Sequence, residues 1–319
     1  MKLQTNIPLT PQENQIDYKS KVLLLGSCFV ENIGGKLEYY KFQNLQNPFG
    51  ILFHPIAIEK LVSRAIHNTL FKEEDVYFHN ELWYCFEVHS SVNDSEKEVL
   101  LNLLNNMLLE FRVYLQSASH IILTLGTSWV YRFIETNSIV ANCNKIPQKK
   151  FNKELLSIES IGISIQNIFS LIKEVNPKAS IITTVSPIRH IKDGFVENTR
   201  SKAHLIAAIH KVLSEKKLET NPKVYFPSFE LMMDELRDYR FYKEDMIHPN
   251  NTAISIIWEA FSEVWISSDT KELRNEIEVI QSGLLHKPFH PESKAHLQFL
   301  QKLNDKIASL QKKIPSIKF

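Results

Sequence analysis

Short runs of consecutive apolar residues, separated by longer amphipathic stretches, define the pattern of this chain. A strand that is buried on both faces of a parallel sheet shows such a run rather than an alternation of apolar and polar residues. The stretches between the runs repeat apolar residues every three or four positions, which is typical of one face of a helix. The predicted strands are Lys21–Leu25, His120–Leu125, Ser180–Val185 and Lys223–Phe226. The predicted helices are Phe29–Tyr40, Pro55–Leu70, Ser95–Gln116, Ile158–Val175, Phe195–Lys216 and Asn251–Val264.

Strands that alternate with helices predict an α/β fold, here a three-layer, doubly wound sandwich around a mainly parallel central sheet. Two pairs of shorter strands interrupt this alternation, and a few polar residues join the strands of each pair. They predict small β-hairpin insertions. These pairs are Val76–Phe78 with Leu82–Phe86, and Trp129–Ile134 with Ile139–Ala141.

The C-terminal part of the chain differs in character from the rest. It is charged and helical in pattern, and it carries an apolar stripe formed by Leu300, Leu303, Ile307 and Leu310. We therefore expect a main domain over residues 1–268 and a helical extension over residues 269–319. The stripe has two interpretations: it packs back onto the same chain, or it pairs with a second copy to form a homodimer.

Composition and charge exclude several classes of protein. With 44% hydrophobic residues among 319, the chain has enough apolar material for a core and is not intrinsically disordered. A net charge of +1 gives no general attraction to nucleic acid or to an anionic membrane. The N-terminus lacks the apolar region of a signal peptide, and the longest apolar runs are too short to span a bilayer. These features predict a cytoplasmic protein without nucleic-acid or membrane partners.

Cysteine and histidine spacing gives no support for a metal site. The three cysteines, Cys28, Cys85 and Cys143, lie far apart and form no Cys-x-x-Cys pair, which favours reduced thiols. His286 and His290 have the spacing of helical zinc ligands, but Pro288 interrupts the helix between them. We predict neither a metal nor an organic cofactor.

The residues that directly follow the apolar runs are candidates for a site, because a doubly wound sheet binds ligands beyond the carboxyl ends of its strands. They include Gly-Ser-Cys-Phe at 26–29, Gly-Thr-Ser-Trp at 126–129 and Ser-Pro-Ile-Arg-His at 186–190. In a late loop, Asp245 precedes His248 by three residues. An aspartate at this distance can orient the histidine and leave its Nε2 free as a base. Together these segments outline a site for acyl transfer.

Two of these segments resemble a known family. The Gly-Ser-Cys-Phe turn, followed by Asn-Pro-Phe-Gly at 47–50, is similar to the GSCFA family, which takes its name from the N-terminal motif. That family is related to the SGNH (GDSL-like) hydrolases, and Asp-Met-Ile-His-Pro-Asn at 245–250 resembles the Asp-x-x-His block of the superfamily. The resemblance runs from about Lys21 to Trp265. It implies an SGNH-type catalytic domain and leaves the C-terminal extension unexplained.

The resemblance implies a role for each matching residue. Ser27 corresponds to the nucleophile, His248 to the general base and Asp245 to the residue that orients it. The backbone N–H groups of Ser27 and Gly50 correspond to the oxyanion hole. The superfamily has an asparagine as a further donor in its third block, but this chain has Thr127 and Ser128 there. Either hydroxyl is a candidate replacement, and losing one such donor typically lowers the rate by about 10²–10³-fold.

Other readings of the same residues remain open. Cys28 is a rival nucleophile, because a thiolate at a helix N-terminus is activated, but we expect its side chain to pack inward. Asp245 is alternatively a cap for its own loop. A further group of polar residues near the third strand is expected to contact substrate, although Arg189 has a surface ion pair as an alternative. This group is Arg189, His190, Asn198 and Lys202.

The resulting hypothesis is a serine esterase or deacylase of the SGNH type. Ser27 would attack an O-acyl ester on a carbohydrate or other small molecule, and water would then release the acyl-enzyme. One alternative is an O-acyltransferase that uses the same three residues, with a hydroxyl acceptor in place of water. The other is a non-catalytic binding protein, which the missing asparagine favours and the retained Ser27, Asp245 and His248 oppose.

Overall fold

A five-stranded parallel sheet forms the centre of the computed structural model, which describes residues 5–215, 223–315 and 317–319. The strands are β1 (Lys21–Gly26), β2 (Gln43–Gln46), β3 (Val76–His79), β4 (Leu82–Cys85), β5 (His120–Leu125), β6 (Trp129–Phe133), β7 (Ser138–Val140), β8 (Phe151–Leu155), β9 (Ser180–Val185) and β10 (Lys223–Tyr225). The central sheet has the order β10-β9-β5-β1-β2, and each neighbouring pair is parallel. Because β2 lies on one side of β1 and β5 on the other, the topological switch point lies between β1 and β5. This is where a doubly wound fold binds its ligand.

Helices cover both faces of this sheet. They are α1 (Phe29–Tyr39), α2 (Pro55–Ile66), α3 (Lys97–Ser117), α4 (Ile158–Val175), α5 (Phe195–Ser214), α6 (Ser228–Glu230), α7 (Asn251–Trp265), α8 (Lys271–Leu285) and α9 (Lys294–Lys313). Along β1, Leu23 and Leu25 point into a core with α2–α5, whereas Val22 and Leu24 point into a core with α1 and α7. A strand buried on both faces needs apolar residues at every position. The predicted three-layer α/β fold is confirmed.

Two strands of the structure were not predicted. The edge strand β2 has the sequence Gln-Asn-Leu-Gln and is only half-buried, so it lacks the apolar run of a central strand. Strand β8 pairs with β6, which also pairs with β7, so the second predicted hairpin is part of a three-stranded antiparallel sheet. The first hairpin, β3 with β4, is confirmed.

The predicted and the observed helices differ at their ends. The helix predicted over Pro55–Leu70 ends at Ile66, because Asn68 takes a left-handed conformation with φ of 54°. The helix predicted over Phe195–Lys216 ends at Ser214, and Lys216 itself lies outside the described residues. Across the described ranges, no helix combines the length and apolar content that crossing a bilayer requires.

The C-terminal helices pack back onto the same chain. Ile277 and Ile280 of α8 form a small core with Leu303 and Leu310 of α9, against Tyr18 and Tyr40 of the main domain. The Gln281 side chain also donates a 2.9 Å hydrogen bond to the Tyr39 carbonyl oxygen. The apolar stripe that could have paired two copies is therefore largely covered within one chain.

Lys202, on the buried side of α5, connects two central strands. Its Nζ lies 2.7 Å from the carbonyl oxygen of Gly126, after β5, and 2.7 Å from that of Ser186, after β9. The side chain is 2% exposed, and this burial lowers the pKa of Lys202 to about 7. A neutral amine keeps two N–H donors, as many as the carbonyl oxygens that it faces. Lys202 therefore holds the carboxyl ends of β5 and β9 at a fixed separation.

Replacing a buried leucine of α9 should destabilise the protein far more than replacing an exposed one. Leu310 is fully buried and Leu300 is 38% exposed in the same helix. We expect Leu310→Ala to lower the free energy of unfolding by about 2–5 kcal/mol and Leu300→Ala by less than about 1 kcal/mol. Urea denaturation measures both. Equal, small effects would show that α9 does not pack on the chain as described.

Lys202 should make stability depend on pH in a definite direction. Its pKa is lowered in the folded protein, so between pH 7 and the ordinary lysine value the unfolded chain binds one proton more. The free energy of unfolding of the wild type should therefore rise, relative to Lys202→Met, by about 1–2 kcal/mol from pH 7 to pH 8.5. Lys211→Met, in the exposed part of α5, should show no such difference. Parallel curves for the wild type and Lys202→Met would mean that Lys202 keeps its proton.

Candidate active site

A cavity of about 530 Å³ opens at the carboxyl edge of the central sheet. One wall consists of residues that follow β1, β5 and β9, namely Cys28, Thr127 and the segment 188–193. The opposite wall comes from the small antiparallel sheet, with Tyr131 on β6 and Val140 on β7. His248 closes a further side. The volume lies within the range of small-molecule sites.

Asp245 and His248 form a close pair, of which His248 lines the cavity. The Asp245 Oδ2 atom lies 2.7 Å from His248 Nδ1. Its Oδ1 accepts the backbone N–H groups of Ile247 and His248, at 2.8 and 3.0 Å. These hydrogen bonds lower the pKa of Asp245 to about 2. Because the carboxylate fixes the proton on Nδ1, Nε2 of His248 is left as a proton acceptor.

The loop that carries this pair folds on itself before α7. The Lys243 N–H donates to the carbonyl oxygen of His248 at 2.8 Å, and Met246 takes a left-handed conformation with φ of 56°. The cap of α7 is a different residue, because Asn250 accepts the N–H of Ala253 at 3.1 Å. Asp245 thus caps its own loop and also holds the imidazole, so the two interpretations of this residue are compatible.

Ser27 does not lie on the cavity. Its side chain is fully buried, and its Oγ accepts the N–H of Phe29 at 3.4 Å. Its own N–H donates to the carbonyl oxygen of Thr124, at 3.0 Å, on the neighbouring strand β5. The structure therefore brings Asp245 and His248 together as expected but does not bring Ser27 into the same cavity.

Cys28 packs partly against the core formed with α1 and α7, as expected, but its residue also lines the cavity. It is half-buried, lines the cavity together with His248, and stands at the N-cap position of α1. Burial raises the pKa of the Cys28 thiol and Glu31 raises it further, whereas the positive charges of Lys202 and Lys243 act in the opposite direction. The thiol therefore needs a base in order to react at neutral pH.

The donors expected in the oxyanion hole are engaged within the protein. The Gly50 N–H donates to the carbonyl oxygen of Asn47 at 2.8 Å, and the Thr127 hydroxyl lies 3.0 Å from the Ser201 hydroxyl. The Ser128 N–H donates to Ser201 Oγ at 2.7 Å, and the Ser128 hydroxyl donates to the Ser201 carbonyl oxygen. With the Ser27 N–H bound to β5, this corrects the expected set of donors. Of these residues Thr127 lines the cavity.

Arg189 lies on the cavity wall and is held by the loop of His248. Its Nη1 donates to the carbonyl oxygen of Met246 at 3.0 Å, and its guanidinium lies 5.2 Å from the ring of Phe195 and 5.4 Å from that of Tyr242. In the described part of the chain Arg189 has no carboxylate partner, so the ion-pair alternative is wrong. Its charge remains available to a bound molecule.

His190 is a neutral imidazole beside His248. Burial and the nearby charges of Lys202 and His248 lower the pKa of His190 to about 3. Its Nε2 is buried and has no hydrogen-bond partner among the described residues. Asn198, expected on the substrate wall, instead accepts the backbone N–H of His190 at 2.8 Å. Lys202 lies beneath the cavity rather than on its wall.

Sequence reasoning missed the cavity residues that do not directly follow a predicted strand. Phe53 and His54 precede α2, and Tyr131 and Cys143 belong to the antiparallel insertion. His54 is fully buried, and burial lowers its pKa to about 4. The burial of Lys202 did have a signal, because its position on α5 continues the apolar series Leu205, Ile209 and Val212.

The solved structures that align with this chain include esterases. A carbohydrate esterase family 3 protein from Talaromyces cellulolyticus aligns with 8% identity and a TM-score of 0.37, covering 82% of this chain and 99% of that one. An acetyl esterase mutant with acetate ion aligns with 10% identity and a TM-score of 0.39, covering 82% of this chain and 99% of that one. An acetyl xylan esterase from the rumen bacterium Butyrivibrio proteoclasticus aligns with 11% identity and a TM-score of 0.41, covering 86% of this chain and 66% of that one. Likeness at this level carries no argument about the activity of this chain.

Family models match nearly the whole chain. None of the curated proteins matches it. The model of the GSCFA family matches residues 21–261, which include the turn at Cys28 and the pair of Asp245 and His248. A second model, the C-terminal domain of GSCFA domain proteins, matches residues 277–319 and so covers most of α8 and all of α9. The chain is therefore a member of the GSCFA family.

Proposed function

We propose that this protein cleaves an O-acyl ester of a carbohydrate or another small molecule through a covalent acyl-enzyme. The observation that carries the proposal is the 2.7 Å contact between Asp245 and His248 on the wall of a cavity at the carboxyl edge of the sheet. A histidine held in this way is suited to general acid–base catalysis. The nucleophile comes from the turn at Ser27 and Cys28, at the start of α1.

The steps follow from the position of His248. Its Nε2 takes the proton of the nucleophile as a bond to the acyl carbon forms. The same proton then passes to the oxygen of the departing alcohol, and the acyl group remains on the enzyme. Water, deprotonated by His248, finally attacks the acyl carbon and releases a carboxylic acid. Asp245 keeps its charge throughout and stabilises the imidazolium.

The cavity suits a small ester. Phe53, Val140 and Ile188 offer apolar surface to an acyl group, and Arg189 offers a cation that has no carboxylate partner in the described chain. Hydrophobic walls with few polar groups are typical of small-molecule sites. The family alone does not determine the acyl group or the alcohol, because function depends on the site and not on the fold.

Removing the base should abolish most of the esterase activity. With 4-nitrophenyl acetate and an acetylated monosaccharide as substrates, we expect His248→Gln to lower kcat/KM by about 10²–10⁴-fold. Asp245→Asn should cause a smaller loss, because the imidazole remains but its tautomer is no longer selected. His67→Gln, at the exposed end of α2, is the matched control and should retain wild-type activity.

Two results would contradict the proposal in different ways. If His248→Gln cleaves the esters at the wild-type rate, His248 is not the base. Folded wild-type protein that cleaves neither ester would favour the alternative of a non-catalytic binding protein.

A further inference from the structure

We propose that the nucleophile of this site is the thiol of Cys28, and that the acyl group is carried as a thioester rather than as a serine ester. This inference rests on the proposed function and specifies its intermediate. Two observations carry it: the access of the two neighbouring side chains to the cavity, and the hydrogen bonds of their backbone N–H groups.

Access separates the two candidates. Cys28 and His248 line one cavity, so a substrate there can contact both the thiol and the base. The Ser27 side chain has no exposed surface, and its Oγ already accepts the N–H of Phe29. For Ser27 to attack a substrate, the first turn of α1 would have to rearrange. Cys28 needs no such movement.

The hydrogen bonds of the backbone N–H groups of Ser27 and Cys28 also favour Cys28 as the nucleophile. In acyl transfer by a serine triad, the N–H of the nucleophilic residue itself can stabilise the oxyanion. The Ser27 N–H is bound to the Thr124 carbonyl oxygen on β5. The Cys28 N–H has no partner in another residue of the described chain and approaches only its own sulfur. It lies at the N-terminus of α1, an eleven-residue helix whose dipole favours negative charge at this end.

The charges around Cys28 act on its thiol in both directions, and the net effect with burial is a raised pKa. Burial keeps the thiol protonated at rest, while Lys202 and Lys243 oppose the raised pKa and Glu31 adds to it. Cys143 lines the same cavity, but its pKa is raised to about 11 by burial alone. Because its resting thiol is protonated, Cys28 depends on His248, which lines the same cavity, to take its proton.

The reaction balances with a thiol as it does with a hydroxyl. The S–H proton moves to His248 Nε2, and a bond forms between sulfur and the acyl carbon. The C–O bond of the ester then breaks, and the alcohol leaves with the proton from His248. Water adds to the thioester with His248 as base, so that a carboxylic acid leaves and the thiol is restored.

Trapping the intermediate tests the inference directly. Wild-type protein is mixed with 4-nitrophenyl acetate, quenched in acid, and analysed by mass spectrometry of the intact chain and of its peptides. We expect one acetyl group on Cys28, removable by neutral hydroxylamine as a thioester is. Cys28→Ala should form no adduct. Ser27→Ala should still form the thioester, and Cys28→Ser should convert any adduct into a hydroxylamine-resistant ester.

An acetyl group on Ser27, or wild-type turnover by Cys28→Ala, would overturn the thiol inference and leave the proposed esterase function intact. An adduct on Cys143 instead of Cys28 would overturn it equally. Because these outcomes need a protein that cleaves the ester, a second measurement is independent of turnover.

Alkylation by iodoacetamide measures the reactivity of each cysteine without any ester. At pH 7.5 we expect Cys28 to react about tenfold faster than Cys143, the half-buried thiol of the same cavity. His248→Gln should slow the alkylation of Cys28 and leave that of Cys143 unchanged. If Cys28 reacts no faster than Cys143, its thiol is not activated and the inference is wrong, whatever ester the protein cleaves.

Discussion

The close approach of β1 to β5 at Gly26 determines which side chain reaches the cavity. Gly26 has φ of 136°, and a Cβ at this position would overlap the Thr124 carbonyl group of β5. Its N–H donates to the Asn47 side chain at 2.9 Å, so the peptide is held on both sides. The next residue, Ser27, is thereby directed inward onto β5, and Cys28 emerges at the cavity. If the chain were shifted by one residue in this turn, Ser27 would reach the cavity in place of Cys28.

Lys202 places a titratable amine beneath the cavity, at the same edge of the sheet. Lys202 bridges the carbonyl oxygens that follow β5 and β9, and its electrostatic influence reaches Cys28 and His190. Burial keeps His190 neutral. Asp245, which holds His248, is 44% exposed, and Asp193, which lines the cavity, is paired with Lys153. An anion that forms at Cys28 therefore meets the N-terminus of α1, with Lys202 and Lys243 acting in its favour and Glu31 against it.

The sequence predicts those strands and helices whose burial requires a recognisable pattern of apolar residues. Strands β1, β5 and β9 consist largely of buried apolar residues because helices cover both of their faces, and the short strand β10 is half-buried. The edge strand β2 is polar, and β8 exposes Asn152 and Lys153, so neither carries that signal. Both strands form because they pair with strands that are distant in the sequence, and no local pattern of residues predicts such pairing.

The same limit applies to the site. The rule that ligands bind beyond strand ends found Cys28, Thr127, Arg189, His190 and His248, all of which line the cavity. It could not decide between the adjacent Ser27 and Cys28, because their orientation depends on the contact of Gly26 with β5. The oxyanion donors failed for a related reason. Whether a donor is free depends on acceptors far away in sequence, such as the Thr124 carbonyl oxygen for the Ser27 N–H and the Ser201 carbonyl oxygen for the Ser128 hydroxyl.

The exposure of His248 bears on whether water or another hydroxyl receives the acyl group. Its side chain is 39% exposed, which in the proposed reaction leaves the imidazole open to water. An acyltransferase has to keep water away from the acyl-enzyme until its acceptor binds. In the described part of the chain no helix or hairpin covers His248 in this way. Hydrolysis is therefore the outcome that the open imidazole favours, and transfer would require an acceptor bound against Arg189 and Tyr242 that excludes water from the same nitrogen.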